Sequence, residues 1–144
     1  MKISAKTEYA CIAMLELASR YGSGEPVRIR KIAERHDVPP RFLVQILLQL
    51  KGAGLVRSTR GAAGGYHLDR PPEEVSLGEV MRIIEGAGKG NGATTSASPN
   101  SPAVKALAQA WAQVDEVQRD MLNKITFAEL LERARGHDDR MYYI

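Results

Sequence analysis

Residues 55–68 read Leu55-Val56-Arg57-Ser58-Thr59-Arg60-Gly61-Ala62-Ala63-Gly64-Gly65-Tyr66-His67-Leu68. Two short apolar runs flank a turn that holds three glycines and is led by two arginines. Glycine supplies the positive φ that hairpin turns need, so the stretch predicts a β-hairpin. Upstream, two helical patterns are separated only by His36-Asp37-Val38-Pro39-Pro40, room for a tight turn and nothing more. Helix, turn, helix, hairpin is the order of a winged helix-turn-helix, and such a module implies contact with duplex DNA.

The helices around that turn assign roles to individual residues. Ser4 is suited to cap a first helix running to about Tyr21, where Gly22-Ser23-Gly24 ends it. Ala10, Ala13, Met14, Leu17 and Tyr21 fall on one stripe of it, and Lys6, outside the stripe, is either a phosphate contact or a solvated lysine. The second helix, about Arg28 to Asp37, turns Ile29, Ile32 and Ala33 inward. Arg28, Lys31 and Arg35 lie on its other faces, for the DNA backbone or for solvent. The third helix opens with Pro39-Pro40, tolerated in a first turn, and its Leu43, Ile46, Leu47 and Leu50 form a core stripe. Arg41, Val44, Gln45 and Leu48 remain on the other face. Arginine suits guanine, glutamine suits adenine, and an aliphatic group meets a thymine methyl, so Arg41, Val44 and Gln45 are the base-reading candidates. Phe42 is either a backbone contact or a wedge between helix and hairpin. In the wing, Arg57, Ser58 and Thr59 lead to Arg60, placed to enter a minor groove, while Gly61, Gly64 and Gly65 let the backbone approach phosphates.

Ser76-Leu77-Gly78-Glu79 is a capping box, with Val75 and Val80 as its hydrophobic staple, and starts a fourth helix to about Glu85. Its face of Leu77, Val80, Met81 and Ile84 is expected to pack on the winged module. Residues 86–102, with no large apolar side chain, predict a mobile loop. Pro102 then opens the longest helix, to about Ile125. Val104, Leu107, Trp111, Val114, Gln118, Met121 and Ile125 recur at spacings of three and four, the pattern of a coiled-coil seam with one polar residue that fixes register. A second capping box, Thr126-Phe127-Ala128-Glu129, starts a last helix expected to stop at Gly136, and the apolar tail Met141-Tyr142-Tyr143-Ile144 is suited to fold back on a dimer. The expected fold is mainly α with a small β-hairpin wing. Residues 1–85 form a DNA-binding domain, 86–101 a loop, and 102–144 a dimerisation helix with a short C-terminal helix and tail.

Composition narrows the class. The 144 residues fit one domain or one domain with an appendage, and 44% are hydrophobic. No run approaches the roughly 18 apolar residues of a membrane span. The N-terminus enters a helical pattern at once and lacks the apolar region of a signal peptide, which points to the cytoplasm. Through Arg70 there are twelve Lys/Arg against six Asp/Glu, and from Pro71 onward eight against eleven. A basic first half suits a polyanion. No nucleophile–base pair or paired carboxylates suggest an enzyme. The lone Cys11 reads first as a small hydrophobe and second as a redox thiol. His36, His67 and His137 are scattered and suggest no metal site.

The opening Met1-Lys2-Ile3-Ser4-Ala5-Lys6-Thr7-Glu8-Tyr9-Ala10 resembles the start of the bacterial regulators typified by the iron–sulfur cluster regulator, the nitric-oxide-sensitive repressor and the cysteine metabolism repressor. So do Ile32-Ala33-Glu34-Arg35, Gly54-Leu55-Val56, the wing from Arg60 to Tyr66, and Ile125-Thr126-Phe127-Ala128-Glu129-Leu130, together spanning nearly the whole chain. The resemblance implies a homodimer crossed through the long helix, binding a palindromic operator with two winged modules, usually as a repressor. It also assigns Lys6, the start of the third helix and the wing arginine to the DNA surface. Many members bind an iron–sulfur cluster through three cysteines in the loop after the fourth helix. Here that loop has Ser96, Ser98 and Ser101 but no cysteine or histidine, and such clusters need thiolates. Glu8 stands where some members supply a carboxylate ligand. The chain therefore resembles a clusterless branch without a cofactor, whose signal is a partner protein, a small-molecule effector or a thiol modification. The alternative is a dimeric sensor or interaction protein that kept the fold and lost operator binding.

Overall fold

The computed structural model describes residues 1–86 and 96–142, the last four of these by their backbone. Six helices and one two-stranded antiparallel sheet follow in order among the described residues. They are α1 (Ala5–Ser19), α2 (Ile29–His36), α3 (Pro40–Gly52), β1 (Val56–Thr59), β2 (Gly65–Leu68), α4 (Leu77–Glu85), α5 (Pro102–Lys124) and α6 (Phe127–Tyr142), with a 3-10 turn at Pro72–Glu74. The expected mainly helical chain with a hairpin wing is what is observed. The expected mobile loop falls largely on 87–95, and part of the apolar tail on 143–144, outside the described residues.

Local chemistry accounts for most boundaries. The Ser4 hydroxyl accepts from the Thr7 amide at 3.1 Å and starts α1. The helix ends at Ser19, short of the expected Tyr21, because the Arg20 amide folds back to Leu17 and Ala18 carbonyls and Gly22 then turns the chain at φ 82°. Tyr21 is consequently exposed and not part of the buried stripe. Asp37 ends α2 in the left-handed conformation, φ 54°, a place where a short polar side chain is tolerated. Ser76 and Thr126 each accept from the backbone N–H three residues on, from Glu79 and Glu129 respectively, both at 3.2 Å, so both capping boxes form at their N-cap side.

One core joins nearly every element. Met14 and Leu17 of α1, Ile32 of α2, Leu43, Ile46, Leu47 and Leu50 of α3, and Val56 and Leu68 of the sheet are buried together with Val75, Val80 and Phe127. Phe127, from the start of α6, is fully buried, and Leu130 and Leu131 pack beside it. Two hydrogen bonds place it there: Leu77 N–H to the Ile125 carbonyl and Phe127 N–H to the Val75 carbonyl, both 2.9 Å. They make Ser76 and Thr126 an antiparallel bridge, so α4 and α6 start side by side and α5 returns to the module at its C-terminal end. There Arg82 donates to Asn123 Oδ1 at 2.8 Å.

The last helix does not stop at Gly136. It continues to Tyr142, and Gly136 is not among the positive-φ glycines. A glycine ends a helix by taking the left-handed conformation; where it stays helical it costs only about 1 kcal/mol relative to alanine. The pair Arg133–Glu129 at 2.8 Å supports the helix just before it.

Candidate nucleic-acid interface

The 3.6-residue period of α3 divides it cleanly. Leu43, Ile46, Leu47 and Leu50 are buried, while Arg41, Val44, Gln45 and Leu48 are exposed. The Arg41 guanidinium lies 5.3 Å from the centre of the Phe42 ring, a cation–π distance. Phe42 in turn packs 5.6 Å from the Tyr9 ring of α1. The wedge expected between helix and hairpin is thus seated between α3 and α1, where it steadies Arg41.

The wing is a ladder in which Val56 faces Leu68, Arg57 faces His67, Ser58 faces Tyr66 and Thr59 faces Gly65. Val56 and Leu68 anchor its base in the core. Tyr66 also pairs with Val27, through N–H to carbonyl bonds of 2.9 and 2.8 Å, an extra rung that the sequence did not announce. Lys51 of α3 donates to Ser58 Oγ at 2.8 Å, which ties the hairpin to α3. Arg57 pairs with Asp69 at 3.5 Å, and Thr59 Oγ1 lies 3.2 Å from His67 Nε2. Arg57, Ser58 and Thr59 thus already hold partners within the chain.

The wing glycines have reasons of their own. Gly61 sits at φ 107°. A Cβ on Gly64 would collide with the Thr59 carbonyl oxygen, and one on Gly65 would come within 2.6 Å of the Val27 carbonyl oxygen. Gly64 is also buried, so close packing of the hairpin on itself requires it whatever the wing touches. Arg60, at the exposed tip, has no ion pair among the described residues, and neither do Arg28, Lys31, Arg41 or the half-buried Lys6. By contrast, Arg35 and His36 of α2 converge on the buried Glu16 carboxylate of α1, at 3.3 and 2.9 Å. That clamp fixes α2 against α1 and uses Arg35, one of the basic residues the sequence left open.

At the junction of α1 and α4, Glu85 accepts from the Thr7 hydroxyl at 2.8 Å and the Ser4 hydroxyl at 3.2 Å. Cys11 lies near this point. Burial, and then the Glu8 and Glu85 carboxylates, push its thiol up to about 12, so at neutral pH it is protonated. Among the described residues no three His, Cys, Asp or Glu side chains gather as a metal could use them, and no helix is long and apolar enough to cross a membrane.

On α5 no residue is buried. Leu107, Trp111, Val114, Val117 and Met121 are between 48% and 68% exposed and form one apolar stripe. Of the expected seam, Val104, Gln118 and Ile125 are half-buried within the chain, and Val117, which the heptad reading passed over, is the most exposed of the stripe.

An exposed face on α3 led by Arg41, a second helix clamped to its neighbour and an arginine-tipped hairpin are the parts of a helix-turn-helix regulator of transcription. Residues 3–133 match the Rrf2 family, described as an iron-dependent transcriptional regulator, and the chain belongs to that family. It is 32% identical over 145 residues to the HTH-type transcriptional regulator CymR of Bacillus subtilis, covering the whole of both chains. The solved structure of B. subtilis CymR, described as the global cysteine regulator of that organism, is similar with a TM-score of 0.79 at 30% identity, over 92% of this chain and 98% of that one. A T. potens IscR structure is similar with a TM-score of 0.75 at 34% identity, over 93% and 88%. The protein is a DNA-binding transcriptional regulator and not an enzyme. The iron in the family's description finds no matching donor set for an iron–sulfur cluster: the chain has a single cysteine where a cluster needs several thiolates.

Proposed function

We propose that the chain is a homodimeric repressor that binds a palindromic operator and works without an iron–sulfur cluster or other cofactor. The observation that carries this reading is the placement of Arg41, Val44 and Gln45 on the exposed face of α3, beside a hairpin tied to that helix through Lys51 and Ser58 and tipped by Arg60. Arg41, Val44 and Gln45 read bases in the major groove, and Arg60 enters the adjacent minor groove. Gly61 brings the wing backbone close, Gly65 seats the hairpin against Val27, and Lys6, Arg28 and Lys31 meet phosphates. The Arg57, Ser58 and Thr59 side chains and Phe42 support this surface through contacts within the chain, and Gly64 does so by its small size. The uncovered α5 stripe supports a two-fold partner, which sets two such surfaces on one duplex. Residues 1–85, closed by the start of α6, thus bind DNA and α5 joins the copies, with 86–101 between them. Its place of action is the cytoplasm, where the chromosome lies. The signal is a regulatory protein or a small molecule; a protonated, half-buried thiol speaks against Cys11 as a redox sensor.

The test is selection of duplexes from genomic fragments with the full-length protein, followed by anisotropy titrations over a range of salt. Several phosphate contacts give a steep loss of affinity as salt rises. Arg60→Ala is expected to weaken binding and flatten that slope; unchanged affinity refutes the wing assignment. If no fragment is retained even in dilute buffer, the fold serves as an interaction module and operator binding has been lost. Transcription in vitro from the retained promoters separates repression from activation.

A further inference from the structure

Val44 is 45% exposed and Leu48 is 57% exposed, one turn apart on α3. Arg41, Val44, Leu48 and Lys51 follow one another at three, four and three residues, and so form a single ridge along the helix. At its start the Arg41 guanidinium rests over Phe42; at its end Lys51 is tied to Ser58 of the wing. The apolar pair therefore lies between two groups of the DNA face, not outside it. No described element covers it, and the same module carries the exposed cations Arg41, Arg60, Arg28 and Lys31. A surface of this charge attracts a polyanion.

We infer that Val44 and Leu48 read the methyl groups of two thymines in each half-site, so that Leu48 is a further specificity-determining residue. The inference rests on the DNA-binding reading above. Of the groups that base pairs present in the major groove, the thymine C5 methyl is the apolar one. Four residues of helix advance about 6 Å, close to two base-pair rises of about 3.4 Å each. The two thymines accordingly stand about two base pairs apart, flanked by the bases that Arg41 and Gln45 address.

The probe is a consensus duplex selected by the full-length protein from a random pool. Each thymine is replaced in turn by deoxyuridine, which removes the methyl and leaves every hydrogen-bonding group. Two positions per half-site, about two base pairs apart, are expected to lose affinity about four-fold each, the effect of one buried methyl. Leu48→Ala abolishes the sensitivity at one of them and Val44→Ala at the other. Both side chains are exposed and alanine favours a helix, so both variants fold. Neither touches a phosphate, and the salt dependence stays as in the parent. Deoxyuridine without effect at every position, or equal effect in parent and variants, overturns the inference while leaving DNA binding intact. A pool from which nothing is selected overturns both.

Discussion

Trp111→Asp tests the joining of two copies most directly. Trp111 is 59% exposed on a helix that buries none of its residues. A tryptophan presents about 250 Å² at most, so roughly 150 Å² remains for a partner to cover. At about 25 cal/mol per Å² this is roughly 3–4 kcal/mol from each protomer. A two-fold seam counts the residue twice, and the aspartate adds the cost of burying a charge. Since each 1.4 kcal/mol is about ten-fold in a dissociation constant, the variant is expected to dissociate at least about a hundred-fold more readily. Sedimentation velocity over a concentration series reads this, with circular dichroism showing unchanged helix content, because Trp111 lies outside the core. The monomeric variant should bind an isolated half-site duplex as the parent does while losing the advantage of the full palindrome. The reasoning is refuted if Trp111→Asp sediments as the parent dimer at equal concentration, or if the parent itself is monomeric at micromolar concentration.

Three other outcomes follow from the geometry. Phe127→Ala is expected to lower stability by about 3–5 kcal/mol in urea unfolding, because the ring is fully buried; a loss below about 1 kcal/mol would mean that α6 is not part of the core. Gly64→Ala must displace the Thr59 carbonyl, and amide exchange should show β1 and β2 opening more often than in the parent, whereas Gly22→Ala, with open space around it, leaves the hairpin untouched. Cys11 is expected to alkylate slowly in the native state at pH 8. Its folded pKa is raised from 9.0 to about 12, so its contribution to stability is complete below about pH 9 and is lost as pH climbs toward 12. The parent should lose more stability across that window than Cys11→Ala, and equal losses would contradict the assignment.

Much of this architecture is written locally in the chain. Ser76 and Thr126 announce helix starts through their own hydroxyls, and the Leu43–Leu50 stripe declares which side of α3 is inside. The exposed face of α3 and the arginine at the wing tip are legible for the same reason, since periodicity and turn chemistry involve neighbours in sequence. What escaped the reading depends on residues far apart. The Val27–Tyr66 rung and the Ser76–Thr126 bridge join segments that carry no mark of each other. Gly64 and Gly65 look like openings for a phosphate until the Thr59 and Val27 carbonyls are seen against them. Arg35 looks like a free cation until Glu16 is found beneath it. Gly136 misled for a different reason, because a modest propensity penalty is not a stop signal when the flanking residues continue the helix.

The insertion of Phe127 beneath Val75 has a consequence for how the molecule is made. The interior of the winged module is sealed by an aromatic ring encoded after the long rod. While that ring is still within the ribosome, the nascent chain has its helix-turn-helix but lacks one of the largest side chains of its core. Completion of the core therefore waits until the rod has been synthesised, and a prematurely terminated product that lacks residue 127 emerges with that core open, a substrate for proteolysis.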